Sequence, residues 1–102
     1  MITAGQLRAA RALIAIDQRD LAALSGLSVP TIQRMEASDE LIRGNVGSLM
    51  KLIAALDAAG IELIAEGAVS QSGGRGVRLK PPRVDGKAYR QKARRLSRPR
   101  GA

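Results

Sequence analysis

The stretch that most constrains this chain is DQRDLAALSGLSVPTIQRME, residues 17–36, because it encodes two short helices and the turn between them. The helices cover about residues 18–25 and about residues 29–36, and each follows a residue type, Asp or Ser, that caps helix N-termini well. Gly26 lies between them and suits the left-handed backbone that ends a helix. Pro30 is tolerated because N–H groups in the first helical turn lack partners within the helix. The stretch therefore predicts a helix-turn-helix unit.

A helical wheel at about 100° per residue divides residues 29–36 into a buried face and an outward face. Ile32 and Met35 fall on the buried face, and Glu36 lies at its margin. Three residues form the outward face and two flank it: Pro30, Gln33 and Arg34, with Val29 and Thr31 at the edges. These five side chains are the ones that the second helix offers to a binding partner.

An arginine on the apolar stripe of the first helix predicts an ion pair. This helix opens with Thr3 and Gln6, which have the spacing of a capping box, and its inward stripe includes Arg11. Burying an unpaired guanidinium is costly, and Glu36 lies at the inner margin of another helix. We therefore predict an ion pair between Arg11 and Glu36. The alternative is that Arg11 extends sideways to water.

The last helix has the cleanest periodicity in the chain. Its apolar residues recur at i, i+3, i+4 and i+7 and are Leu49, Leu52, Ile53 and Leu56. Either Asn45 or Ser48 is a suitable cap, and Gly60 ends the helix. Between this helix and the helix-turn-helix, residues 38–45 read as a loop with a short apolar anchor.

Two segments after Gly60 alternate in the manner of strands. They are IELI at residues 61–64 and VRL at residues 77–79, separated by the turn-rich SQSGGRG. Because two strands alone are marginally stable, a hairpin here must pack on the helices or add to the same edge of a second subunit. The predicted fold is mainly α: a four-helix domain over residues 1–79 with a small C-terminal β-hairpin or strand pair.

The charge is divided unevenly along the 102 residues, whose formal net charge is +8. Residues 1–66 carry six basic and eight acidic residues, a net charge of −2, whereas residues 67–102 carry eleven basic and one acidic, a net charge of +10. After Leu79, apolar residues are scarce among Pro, Gly, Lys and Arg. We therefore expect residues 80–102 to be a disordered basic tail.

The composition argues against an enzyme. The chain has no Cys and no His, which excludes disulfides, zinc fingers, Cys and His nucleophiles and a histidine base. Capping explains the acidic pair Asp17 and Asp20, and a solvated loop explains Asp39 and Glu40. No Gly-rich phosphate loop follows a strand. We expect no catalytic residues, no cofactor and no metal, and, without a signal peptide or membrane span, a cytoplasmic protein with no membrane partner.

The helix-turn-helix resembles that of the Cro/C1-type (XRE) family of phage and bacterial transcriptional regulators. The matching positions are Arg11, Gln18, Leu21, Ala22, Gly26, Leu27, Ile32, Met35 and Glu36. The resemblance implies a four-helix layout over roughly residues 3–59, with Arg11 paired to Glu36. The fifth helix that the family commonly has is replaced here by residues 61–64, as in a smaller group of relatives that end in a strand pair.

The resemblance implies a sequence-specific DNA-binding transcriptional regulator, a repressor, that reads the major groove of double-stranded DNA with residues 29–36 as a homodimer. The expected base-reading residues are Val29, Pro30, Gln33 and Arg34. The expected phosphate contacts are Gln18, Thr31, Arg43 and Lys51. For Arg43 and Lys51 the alternative is a solvated surface side chain. The exposed hairpin edge and the outer side of the last helix are both candidate dimer surfaces.

The tail has two interpretations, an electrostatic arm that supplies phosphate attraction and a solubilising extension. Its expected contacts as an arm are Lys87, Arg90, Lys92, Arg94, Arg95, Arg98 and Arg100. A second function stays open, that of an antitoxin which autoregulates its operon and binds a toxin protein through the tail. The basic charge of the tail would then require an acidic surface on the toxin.

Overall fold

The computed structural model describes residues 2–39 and 41–80, and within them the chain forms four helices. They are α1 (Ala4–Leu13), α2 (Gln18–Ser25), α3 (Val29–Glu36) and α4 (Val46–Ala58). α2 packs on α3 and on α4, while α1 packs on α3. The predicted mainly α, four-helix architecture is confirmed. None of these helices has the length and apolar run needed to cross a bilayer.

Each helix begins at a residue whose side chain accepts a hydrogen bond from the backbone of the first turn. The four caps are Thr3, Asp17, Ser28 and Asn45. Asn45, rather than Ser48, therefore caps α4, with Asn45 Oδ1 2.7 Å from the Ser48 backbone nitrogen. One such cap contributes about 1 kcal/mol, so these local hydrogen bonds favour the observed starts of the four helices.

The turn between α2 and α3 depends on glycine for its backbone conformation. Gly26 has a φ of 73°, in the left-handed region, and its N–H donates to the Ala22 carbonyl at 2.9 Å. A Cβ placed on Gly26 would meet no atom within 4 Å, so the constraint is conformational rather than steric. Leu27 then packs against the core, which sets the direction in which α3 leaves the turn.

Aliphatic side chains from all four helices form the core. The largest that are fully buried are Leu7, Leu21, Ile32, Met35, Leu52 and Leu56. The loop between α3 and α4 joins this core through Ile42, whose backbone N–H donates to the Ile2 carbonyl at 3.1 Å. An isolated antiparallel bridge between Thr3 and Leu41 extends the contact, so the loop is tied to the start of α1.

The predicted β-hairpin is not formed, because residues 61–64 and 77–79 have no strand structure in the part of the chain that is described. Val77 and Leu79 leave 82% and 73% of their surface exposed, so a strand at this position has no core to pack on. Of the first segment, Ile61 and Leu63 do pack against the core. Alternation indicated the strands, but two strands need a buried face to be stable.

Side-chain hydrogen bonds organise the segment after α4 in place of a sheet ladder. The carboxylate of Glu62 accepts from Ser70 Oγ at 2.6 Å, from Ser72 Oγ at 2.7 Å and from the Gln71 backbone N–H at 2.7 Å. These hydrogen bonds, those from Ser70 and Ser72 first, lower the pKa of Glu62 to about 2. Arg78 donates to the carbonyls of residues 68 and 65 at 2.6 and 3.1 Å. The carboxylate of Glu62 therefore closes a loop over residues 62–72.

Candidate nucleic-acid interface

α3 presents a polar face to solvent. Pro30, Gln33 and Arg34 are exposed, whereas Ile32 and Met35 are buried, as the helical wheel assigns them. The two flanking positions, Val29 and Thr31, are half-buried, and Val29 packs against the core. Val29 therefore offers a partner only part of its side chain.

A series of hydrogen bonds runs along the exposed side of α3 from its N-cap. Ser28 Oγ lies 2.8 Å from Thr31 Oγ1 and accepts from the Thr31 backbone N–H at 3.2 Å. Arg34 Nη2 in turn donates to Thr31 Oγ1 at 3.3 Å. This hydrogen bond orients the guanidinium of Arg34 toward the N-terminal half of α3. It uses one of the five N–H donors of the guanidinium. Sequence reasoning identified Ser28 only as a cap, although its three-residue spacing from Thr31 was a usable signal.

Glu36, at the end of α3, is the centre of the contacts that hold the helix-turn-helix to α1. Arg11 Nε lies 2.6 Å from Glu36 Oε2, and Arg11 Nη2 lies 2.7 Å from Glu36 Oε1. The two side chains expose 21% and 5% of their surface. The predicted ion pair is thus present as a bidentate guanidinium–carboxylate contact, the geometry that gives the strongest charge-assisted hydrogen bonds.

Two further side chains reach the same residue. Gln18 Nε2 donates to Glu36 Oε1 at 3.1 Å, and Arg8 Nη1 donates to the Glu36 backbone carbonyl at 2.5 Å. Arg11 Nη1 also donates to the Ile16 carbonyl at 3.3 Å. α1, the start of α2 and the end of α3 therefore meet at one carboxylate. Sequence reasoning missed Arg8, although its three-residue spacing from Arg11 places both on one side of α1.

The electrostatics of this cluster keep both partners ionised. Burial by itself opposes ionisation of Glu36, but hydrogen bonds from Arg11 and Gln18 and the nearby positive charges outweigh burial and lower the pKa of the carboxyl. The hydrogen bond to Glu36 raises the pKa of Arg11. At neutral pH the cluster is a charged pair whose hydrogen bonds tie the end of α3 to α1 and to the start of α2.

The residues predicted to contact phosphate do not form a single group. One amide N–H of Gln18 is used inside the protein by Glu36, and its second N–H is left for another partner. Arg43 is exposed and lines one surface depression together with Arg34, Ser38 and Asp39. Lys51 is exposed on α4 and does not line that depression. The structure thus brings Arg43 beside α3, where Asp39 is an acidic neighbour.

The seven basic tail residues predicted to contact DNA lie outside the described residues. They are Lys87, Arg90, Lys92, Arg94, Arg95, Arg98 and Arg100. Their contacts therefore stay predictions from the charge division of the sequence.

No protein-family model, curated protein or solved structure matches the chain. The Cro/C1-type resemblance accordingly remains a prediction that rests on the residues of the helix-turn-helix and on Arg11.

Proposed function

We propose that this chain is a sequence-specific DNA-binding transcriptional regulator of the Cro/C1 type, acting as a repressor, that places α3 in the major groove of double-stranded DNA. The observation that carries the proposal is that α3 exposes a polar face to solvent while Glu36, its last residue, is paired with Arg11 of α1. In a helix-turn-helix protein, the second helix enters the groove and its outward side chains meet base edges. The contacts that tie α3 to α1 support such readout because base contacts require defined side-chain positions.

The exposed side chains of α3 match the chemistry of base edges. Arg34 has enough N–H donors to bind guanine O6 and N7 together, and Gln33 can pair with adenine through its amide. Pro30 and the exposed part of Val29 supply apolar contact for a thymine methyl group. Arg34 is the principal reader, because a bidentate arginine–guanine contact is the commonest specific one.

Affinity in this proposal comes from phosphate contacts outside the reading face of α3. Thr31 flanks the reading face and Gln18 begins α2, while Arg43 lies beside Arg34 and Lys51 is exposed on α4. Residues 1–66 have a net charge of −2, so this part of the chain lacks the basic balance that DNA-binding modules usually have. The basic residues after position 80 therefore supply much of the attraction. One short helix reads only a few base pairs, so two copies bind a pseudo-palindromic site.

An in vitro selection of bound DNA from a random pool tests the proposal with the full chain. The expected result is an enriched pseudo-palindromic motif. Arg34→Ala should relax the preference at one base position of each half-site by about 1–3 kcal/mol. Arg19→Ala is the matched control, since Arg19 is an exposed arginine of α2 and its loss should leave the motif unchanged. Absence of any motif would overturn the proposal, and a motif unaffected by Arg34→Ala would overturn only the role of Arg34.

A second variant separates reading from orientation. Thr31→Val keeps the shape of the side chain but removes the hydroxyl that accepts from Arg34 at 3.3 Å. Discrimination at the base read by Arg34 should fall, but by less than in Arg34→Ala, because the guanidinium remains and is deprived only of its orienting hydrogen bond. Equal discrimination in Thr31→Val and the unaltered chain would show that the Thr31 hydroxyl has no part in reading.

A further inference from the structure

Beside its inward stripe, α4 carries a second, solvent-exposed row of apolar residues, the outer stripe. Val46, Met50 and Ile53 lie at i, i+4 and i+7 and leave 72%, 64% and 36% of their surface exposed. The inward stripe consists of Leu49, Leu52 and Leu56, and Ile53 adjoins it at helical spacing. Because a surface helix needs only one apolar stripe toward its own core, an exposed apolar row beside that stripe indicates a second surface to be buried.

The outer stripe borders a groove rather than a flat surface. Val46, Met50 and Ile53 form one wall with Asp57, and the half-buried Ile61 and Leu63 continue the apolar lining after α4 ends. Glu62 and Ser72 are further polar residues of the same lining. The groove encloses about 910 Å³. Side chains that project from another apolar helix have room to enter it.

We infer that this stripe is the surface on which two copies of the chain pair, with their α4 helices antiparallel. The four outer residues Val46, Met50, Ile53 and Asp57 are spaced by four, three and four positions, so the spacing reads the same in both directions. A two-fold axis between Met50 and Ile53 therefore sets Met50 opposite Ile53 of the partner subunit. It also sets Val46 opposite Asp57 of the partner subunit, as an isologous interface requires.

The charges of α4 favour a second copy as the occupant. Asp57 is the only acidic residue of this helix, whose first turn has no acid and whose last turn has no base. Antiparallel pairing brings the Asp57 carboxylate to the N-terminal end of the partner's α4, where the helix dipole is positive. The contact occurs twice by symmetry, once at each end of the paired helices.

This inference rests on the proposed function, which requires two copies of the chain. Pairing is therefore measured without DNA, so that its result does not depend on DNA binding. Sedimentation equilibrium of the full chain should show a concentration-dependent dimer. Met50→Lys should yield a monomer because it buries a lysine at the centre of the contact. Val69→Lys, at a position that is 79% exposed and outside the stripe, is the matched control and should remain dimeric. A monomeric parent chain, or an unchanged dimer in Met50→Lys, would overturn the inference.

A charge exchange tests the antiparallel register. Val46→Asp puts two carboxylates opposite each other, and Asp57→Lys puts an amine at the positive end of the partner's α4. Each change should raise the dimer dissociation constant about tenfold, since two equivalent contacts are affected. The double variant Val46→Asp/Asp57→Lys pairs opposite charges and should recover most of the loss. Each single change stabilises its own helix, because it places an acid at the N-terminus of α4 or a base near its C-terminus. Weaker pairing in these variants therefore does not arise from loss of the fold.

The outcomes distinguish this inference from the proposed function. Failure of the double variant to recover pairing would overturn the antiparallel register. If the parent chain selected a DNA motif but was monomeric, only the α4 interface would be overturned. A dimer that responds to the charge exchange but selects no motif would support the interface and overturn the regulator proposal.

Discussion

Arg11 and Glu36 share two short hydrogen bonds, with Arg11 Nε 2.6 Å from Glu36 Oε2 and Arg11 Nη2 2.7 Å from Glu36 Oε1. The carboxylate lies among buried residues, whereas the guanidinium reaches the edge of solvent. Losing the arginine therefore leaves a buried negative charge with only weaker partners. A broken buried pair costs more than the same pair contributes when intact, because the remaining charge stays desolvated.

Arg11→Met should lower the free energy of unfolding by about 3 kcal/mol, near the lower end for buried pairs because Arg11 is partly exposed. Urea denaturation at neutral pH measures the loss. Arg19→Met, at an exposed arginine of α2, should change stability by less than about 0.5 kcal/mol. The double variant Arg11→Met/Glu36→Leu should recover part of the loss, since no charge is then left buried. Losses that simply add in the double variant would contradict coupling between the two residues.

The lowered pKa of Glu36 gives stability a defined pH dependence. The ordinary pKa of the group is 4.5, and the folded value lies below it. The unfolded chain therefore takes up this proton first, and the contribution of Glu36 is complete above pH 4.5 and is lost as pH falls through the folded pKa. Urea denaturation from pH 7 to pH 3 should show the decline, with a smaller slope in Glu36→Gln. Identical slopes in the two proteins would mean that other carboxyl groups produce the decline.

Ala15, between α1 and α2, has a φ of 55°, a left-handed conformation that costs an L-residue about 1 kcal/mol. Ala15→Gly should therefore raise the free energy of unfolding, by about 0.5 kcal/mol after the extra freedom of glycine in the unfolded chain is deducted. The same substitution at Ala23, an exposed residue within α2, should lower it by about 0.5–1 kcal/mol. Chemical denaturation of both variants checks the opposite signs, and a loss of stability in Ala15→Gly would refute the strain.

The parts of this fold that the sequence predicts are the local ones. Asp17 and Asp20 satisfy each other's backbone N–H groups three positions apart, and Gly26 supplies its own left-handed turn, so the bounds of α2 need no distant partner. The Arg11–Glu36 pair is long-range, but it was predictable because each residue lies at an inner margin of its helix. A charge facing a core has few alternatives to another charge.

Two of the features that the sequence does not predict correctly depend on distant partners. Residues 77–79 have strand-like alternation, yet Val77 and Leu79 have no buried surface to pack against. The hydrogen bond from Arg8 to the Glu36 carbonyl spans 28 positions, and the spacing of Arg8 from Arg11 places it on one side of α1 without revealing that distant acceptor. The left-handed Ala15 was equally hidden, because alanine carries no sequence signal for positive φ. Local patterns thus fix helices, whereas interactions across the chain require the assembled fold.

The division of charge along the chain predicts that reading and attraction can be separated. Cutting the chain after Lys80 removes eight basic residues and one acidic residue while keeping all four helices. DNA affinity should fall, and its salt dependence should flatten by about 0.9 in the logarithmic slope for each DNA phosphate that the tail no longer neutralises, with the selected sequence unchanged. Fluorescence anisotropy over a salt series measures both quantities. A full-length variant with those eight residues changed to Gln controls for length and should match the truncated chain, because the attraction resides in the charge. If truncation alone weakened binding, the tail would bind DNA through interactions other than phosphate attraction.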